Sequence, residues 1–147
     1  MKKQKEIGAI VDNILFIKPI FFKALINAKG IKALITPGTY YIMLALEKSG
    51  ALSMSHISKE VSMPKPNVTP LVDKLICAGL AERISDGKDR RIINIKLTKS
   101  GLKTKKEVDQ ALREHTFQKL GNLSITDLKA LAESLAKVKN ILEKLPK

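Results

Sequence analysis

Apolar residues recur every three or four positions along most of this chain and alternate with polar ones over only one short stretch. The first spacing predicts helices and the second a half-buried strand, so a mainly α fold with a small β element is expected. Ile7, Ile10, Val11, Ile14, Leu15 and Ile17 form the first helical run, which continues through Ile20, Phe21, Leu25 and Ile26. Pro19 falls inside it, where a kink or a helix start is expected, and Gly30 reads as its stop. The run is too apolar for a helix solvated all round, and cover by a second subunit would explain it. Lys2 to Lys5, ahead of it, read as a solvated tail, with a groove-binding basic arm as the alternative.

Caps and breakers divide the rest. Thr36-Pro37 is a helix start, an N-cap followed by a first-turn proline, and Tyr40, Tyr41, Met43, Leu44 and Leu46 precede the stop at Gly50. Ser53 caps a short helix carrying Ile57 and Val61, and Met63-Pro64-Lys65-Pro66 is a turn. The next helix runs to about Cys77, with Gly79 as its stop and Val68, Leu71, Val72 and Leu75 as its buried stripe. Its other side offers Lys65, Asn67, Thr69, Asp73 and Lys74. Pro70 lacks a backbone donor and fits only if this helix starts shortly before it, near Pro66 or Asn67.

Leu80 to Ile84 and Ile92 to Leu97 read as strands joined by Ser85 to Arg91, whose Asp86-Gly87 marks a turn. Thr98 or Ser100 starts a Lys-rich helix that reaches Leu120, and Gly121-Asn122 breaks it. Ser124 with Asp127 forms an acidic version of a capping box. Leu128, Leu131, Leu135, Val138, Leu142 and Leu145 then make a coiled-coil-like stripe, either a core face or a surface for a partner helix.

Composition narrows the function. The 147 residues carry 27 basic and 14 acidic side chains, a net charge of +13, which favours a polyanionic partner unless it reflects a general lysine bias. A hydrophobic fraction of 44% argues against disorder. Aromatic residues at 4% and no Trp argue against stacking of single-stranded bases. A single Cys permits no intrachain disulfide and points to a reducing compartment. With no apolar run able to span a bilayer and no signal peptide, a cytoplasmic protein is expected. Two His and one Cys show no metal-ligand spacing, and there is no nucleophile–base pair or phosphate loop; neither cofactor nor enzyme activity is expected.

Two short helices, a tight turn and a basic hairpin between Leu52 and Thr98 compose a winged helix-turn-helix with a two-stranded β-wing. The N-terminal side chains of the second helix are the base-reading candidates: Lys65 toward guanine, Asn67 toward adenine and the Thr69 methyl toward thymine, with Lys74 beside them. Asn67 or Thr69 could instead cap the helix. Ser53, Ser55 and Ser62 offer hydroxyls or backbone N–H groups to phosphates, or serve as caps alone. Lys88, Arg90 and Arg91 sit on the wing, where a projecting Arg90 or Lys88 fits a narrow minor groove. Asp89 and Arg91 could pair and hold the wing's shape. His56 reads as a surface or helix-packing residue, and Cys77 as a packing residue rather than a redox switch.

From Ser53 to Gly79 the chain resembles the MarR (multiple antibiotic resistance regulator) family. The resemblance strengthens at Val72-Asp-Lys-Leu, Gly79-Leu80, Arg83, Asp89-Arg90-Arg91 and Leu97-Thr98, and extends to Leu34-Ile-Thr-Pro and Leu123-Ser124. It implies a homodimer whose terminal helices, residues 1–34 and 100–147, form the dimerisation region around a DNA-binding domain at 35–99. It further implies two winged units straddling double-stranded DNA at a near-palindromic operator, and release by a small-molecule effector or oxidant. Phe21, Phe22, Tyr40, Tyr41 and His115 are candidate walls of the pocket the resemblance implies. Pro66 and Pro70 depart from the family's polar or basic pattern in the recognition helix. The rival readings are a protein-interaction module with a basic face and a weakly specific DNA binder without an effector.

Overall fold

The computed structural model describes residues 2–27, 34–87, 89 and 91–145, without the side chains of residues 2, 18–22 and 24–27. Among the described residues, six helices and three strands follow in the order α1 (Lys2–Asn27), α2 (Pro37–Ser49), β1 (Ala51–Ser53), α3 (Met54–Glu60), α4 (Lys65–Cys77), β2 (Ala81–Ser85), β3 (Ile93–Leu97), α5 (Lys99–Leu120) and α6 (Ile125–Leu142). They form two compact units, Met1–Leu112 and Arg113–Lys147.

The start signals fold as local chemistry demands. Thr36 caps α2 by accepting from the Thr39 amide, and the Thr39 hydroxyl accepts from the Thr36 amide in return. Gly50 ends that helix at φ 79°, a conformation that costs glycine little. Ser53 caps α3 and Ser124 caps α6. Thr98 opens α5, its hydroxyl accepting from the Gly101 amide at 3.0 Å and donating to the Gly79 carbonyl at 2.7 Å. One side chain therefore joins the end of the segment leaving α4 to the start of α5.

Several expectations change. The Lys2–Lys5 segment is helical, forming the start of α1, with residues 3–5 exposed. The helix does not begin at Pro19 but runs through it, because a proline forfeits only its own donor while the apolar pattern continues on both sides. Gly30 lies outside the described residues. Lys65 and Pro66 belong to α4 rather than to the turn before it, so Pro70 is an interior helical proline. The sheet has three strands, not only the two of the wing. β3 is central, pairing antiparallel with β1 (Leu52 opposite Ile95) and with β2 (Arg83 opposite Ile95).

The core lies in the first unit. Ile42, Met43 and Leu46 of α2 pack with Ile57 of α3, Val68, Val72 and Leu75 of α4, Ile95 and Leu97 of β3, and Val108 of α5. Gly101 is buried against the backbone of the segment before β2: a Cβ built there would stand 1.9 Å from the Leu80 carbonyl oxygen. In the second unit α6 buries no residue, and Leu135, Val138, Ile141 and Leu142 are at least half exposed. Ile10, Ile14, Leu15 and Phe16 of α1 are likewise more than half exposed. Among the described residues, no helix is long and apolar enough to cross a membrane.

Candidate nucleic-acid interface

The sequence of α4 sorts its side chains cleanly. Val68, Val72 and Leu75 are buried in the core, while Lys65, Asn67, Thr69 and Lys74 stand exposed on the other side. The core thus grips the helix from behind and leaves its polar face open, as a groove-reading helix requires. Pro64 precedes the helix with no side-chain cap, and its carbonyl takes bonds from the Asn67 and Val68 amides at 2.9 and 3.2 Å. Asn67 and Thr69 therefore do not cap α4. Asn67 sits exposed in its first turn, and the Thr69 hydroxyl donates to the Lys65 carbonyl at 3.0 Å. Pro66 and Pro70 leave the exposed side of α4 short of two backbone donors.

The turn before α4 is tight. Ser62 adopts φ 51°, a left-handed conformation that closes α3, and the Met63 amide reaches back to the Ser58 carbonyl at 3.1 Å. At the start of α3, Ser53 accepts from the His56 amide and lies 2.9 Å from His56 Nδ1, so its hydroxyl is engaged locally; Ser55 is exposed. His56 is a surface residue.

Carboxylates hold the wing in shape. Asp86 accepts from the Asp89 amide through Oδ1 at 3.1 Å and from Asn94 Nδ2 through Oδ2 at 3.0 Å, while its own amide donates to the Ile92 carbonyl. Asp89 Oδ1 accepts from the Arg91 amide at 3.0 Å and pairs with Arg91 Nε at 3.3 Å. Arg91 is therefore partnered by Asp89, as the pairing alternative expects, although its side chain remains 92% exposed. Lys88 and Arg90 lie outside the described residues. Behind the wing, Arg83 of β2 pairs with Asp73 of α4 at 2.8 Å and ties the hairpin to that helix. Asp73 is thus a bracing residue, which its place in a polar pattern alone did not reveal.

The candidate pocket residues separate. Tyr41 lines an open cleft of about 510 Å³ with Leu44, Ala45, Glu47, Lys48, Glu60 and Val61. Tyr40 is turned instead toward α5, its hydroxyl donating to Asp109 Oδ1 at 2.8 Å. The Phe21 side chain lies outside the described residues. Burial, reinforced by the Asp109 carboxylate, pushes the Tyr40 phenol up to about 12. Beside it Lys105 is buried and pairs with both Asp109 and Glu47. Burial acts to lower its pKa, but the hydrogen-bonded carboxylates of Asp109 and Glu47 prevail and raise it. Lys105 escaped the sequence reading because it lies in a Lys-rich stretch. Its spacing with Gly101, Thr104 and Val108 (i, i+3, i+4, i+7) was the signal for a buried stripe. Cys77, expected to pack, is exposed at the end of α4 because it falls on the side of the helix away from Val72 and Leu75. No group of three or more His, Cys, Asp or Glu among the described residues could hold a metal ion.

A profile of the MarR family matches residues 35–92, the span from the start of α2 through the wing turn. Over that span the chain is similar to the MarR family. The transcriptional regulator FarR of Neisseria gonorrhoeae is 27% identical over 124 residues, 82% of each chain. The transcriptional repressor MdtR of Bacillus subtilis is 33% identical over 46% of this chain and 43% of its own. The crystal structure of the transcriptional regulator BldR from Sulfolobus solfataricus superposes with a TM-score of 0.74 at 26% identity, covering 99% of this chain and 100% of that one. What these proteins share by name is transcriptional regulation.

Proposed function

We propose that this chain is a member of the MarR family, a cytoplasmic homodimeric repressor that binds a near-palindromic operator and is released by a small-molecule effector. The observation that carries the reading is the exposed polar face of α4, with Lys65, Asn67 and Thr69 at its N-terminal end and a fully buried stripe behind it. In this reading α4 lies in the major groove. Asn67 reads an adenine edge, Lys65 reads guanine or phosphate, and Lys74 meets the backbone. Ser53 and Ser55 face phosphates, and Arg90 or Lys88 enters the minor groove beside the wing, whose turn Asp86 and Asp89 shape.

Residues 1–34 and 100–147 supply the dimerisation region around a DNA-binding domain at 35–99. The exposed apolar stripes of α1 and α6 support this, since a monomer would leave both in water. The cleft beside Tyr41 is the candidate effector site.

The test is binding to duplexes from the protein's own upstream region and to scrambled duplex across a salt series, with wild type, Asn67→Ala and Arg90→Ala. Specific binding should weaken steeply with salt. Asn67→Ala should lose about 1–3 kcal/mol and relax specificity at one base position. Equal affinity for both duplexes would reduce the protein to a non-specific binder, and no duplex binding at low salt would overturn the reading.

A further inference from the structure

A lysine whose ammonium is nearly sealed from water requires an explanation, because such groups are seldom buried without a structural reason. The Lys105 side chain is 5% exposed, with Nζ 2.7 Å from Glu47 Oε2 of α2 and 2.7 Å from Asp109 Oδ2, one turn further along α5. Tyr40 of α2 completes the cluster through its bond to Asp109, and its ring centroid lies 5.8 Å from the ammonium. Tyr40 and Glu47, two turns apart on α2, thus clasp Lys105 and Asp109, one turn apart on α5. None of the four is a candidate DNA contact.

Stability alone does not account for the arrangement, since well-packed apolar side chains hold two helices as firmly or more so. Apolar contacts tolerate sliding and rotation, however, whereas a hydrogen-bonded ion cluster satisfies all its members in one geometry. α5 is one helix from Lys99 to Leu120, and it carries the chain out of the first unit three residues after Asp109. From Asp109 to Leu120 is about 16 Å along the helix, so a tilt of about 10° at the cluster would move the far end by about 3 Å.

We infer that Lys105 is a positioning residue for operator recognition. With Tyr40, Glu47 and Asp109, it fixes the angle between α2 and α5, and through that angle the separation of the two recognition helices in the dimer. The inference rests on the homodimer reading above.

Cys77 supplies the probe. It is the single cysteine of the chain and is exposed at the end of α4, so a spin label attached there reports the distance between the two recognition helices of a dimer. The variant is Glu47→Gln/Lys105→Met/Asp109→Asn, which removes the charges and roughly keeps the shapes. Wild type should give one narrow distance distribution. The variant, at unchanged helix content, should give one at least about twofold broader. It should also bind correctly spaced half-sites at least about tenfold more weakly while binding a single half-site as before. Should the triple variant not fold, Tyr40→Phe removes one hydrogen bond of the cluster and should broaden the distribution in the same direction, by less. A folded variant with the wild-type distribution and spacing preference overturns the inference alone. A wild type that shows no distance between labels is not a dimer, and overturns the homodimer reading and the inference with it.

Discussion

α4 and α6 carry the same kind of apolar stripe and meet opposite fates. Val68, Val72 and Leu75 of α4 vanish into the core beneath the sheet. Leu131, Leu135, Val138 and Leu142 of α6, spaced by the same threes and fours, remain exposed in the single chain. The difference shows what a stripe encodes. Periodicity states that a face must be covered; the cover comes from whatever lies within reach. For α4 it is its own chain. For α6 no other part of its own unit supplies it, which leaves a second copy as the cover in the proposed dimer.

The largest expected effect tests that contrast directly. Leu75→Ala should cost about 2–5 kcal/mol of stability, equally at low and high protein concentration, because its cavity opens inside one chain. In the proposed dimer Leu135 meets side chains of another molecule, so Leu135→Ala should lower the unfolding temperature by an amount that changes with concentration. Thermal unfolding at two concentrations separates them, and a concentration-independent Leu135→Ala would break the comparison.

Two glycines sharpen it. At Gly101 a methyl group meets the Leu80 carbonyl, a backbone atom that cannot move aside alone, so Gly101→Ala should cost about 1–3 kcal/mol in denaturant titration. At Gly121, in the second unit, the nearest atoms to a built Cβ are 3.4 and 3.5 Å away, an ordinary contact, and Gly121→Ala should stay within about 0.5 kcal/mol.

The caps give losses smaller than those of the core. Ser124→Ala should cost about 1 kcal/mol, the usual value of a lost N-cap. Thr98→Ala should cost more, by roughly another 1 kcal/mol, since its hydroxyl also satisfies Gly79. Equal losses in chemical unfolding would mean that the Gly79 bond contributes nothing.

Legibility followed range. Thr36-Pro37, Ser53 and Ser124 were readable as helix starts because an N-cap acts over three residues of one segment. The alternation of Ile93, Ile95 and Leu97 marked β3 for the same reason. β1 was not readable: Ala51, Leu52 and Ser53 have no pattern of their own and become a strand only by pairing with β3, more than forty residues away. Within the candidate site, the exposed face of α4 was legible from its stripe, and so was the Asp89–Arg91 pair, two positions apart. The Arg83–Asp73 brace and the Tyr40–Asp109–Lys105–Glu47 cluster were not, because each joins separate elements whose approach the spacing of residues does not encode. Cys77 went the wrong way for a related reason: its apolar neighbours Ile76 and Ala78 say little about which side of a helix end faces water.

The strand order of the small sheet has a consequence for how this protein behaves when crowded. With β3 in the middle, both outer strands present unpaired backbone groups that could template the joining of another chain. β1 is only three residues long, too short to recruit a neighbour, and β2 carries exposed Glu82 and Arg83 along its length. A second strand laid against β2 would have to take Glu82 and Arg83 out of water. The wing can therefore project from the molecule as a bare hairpin without seeding aggregation.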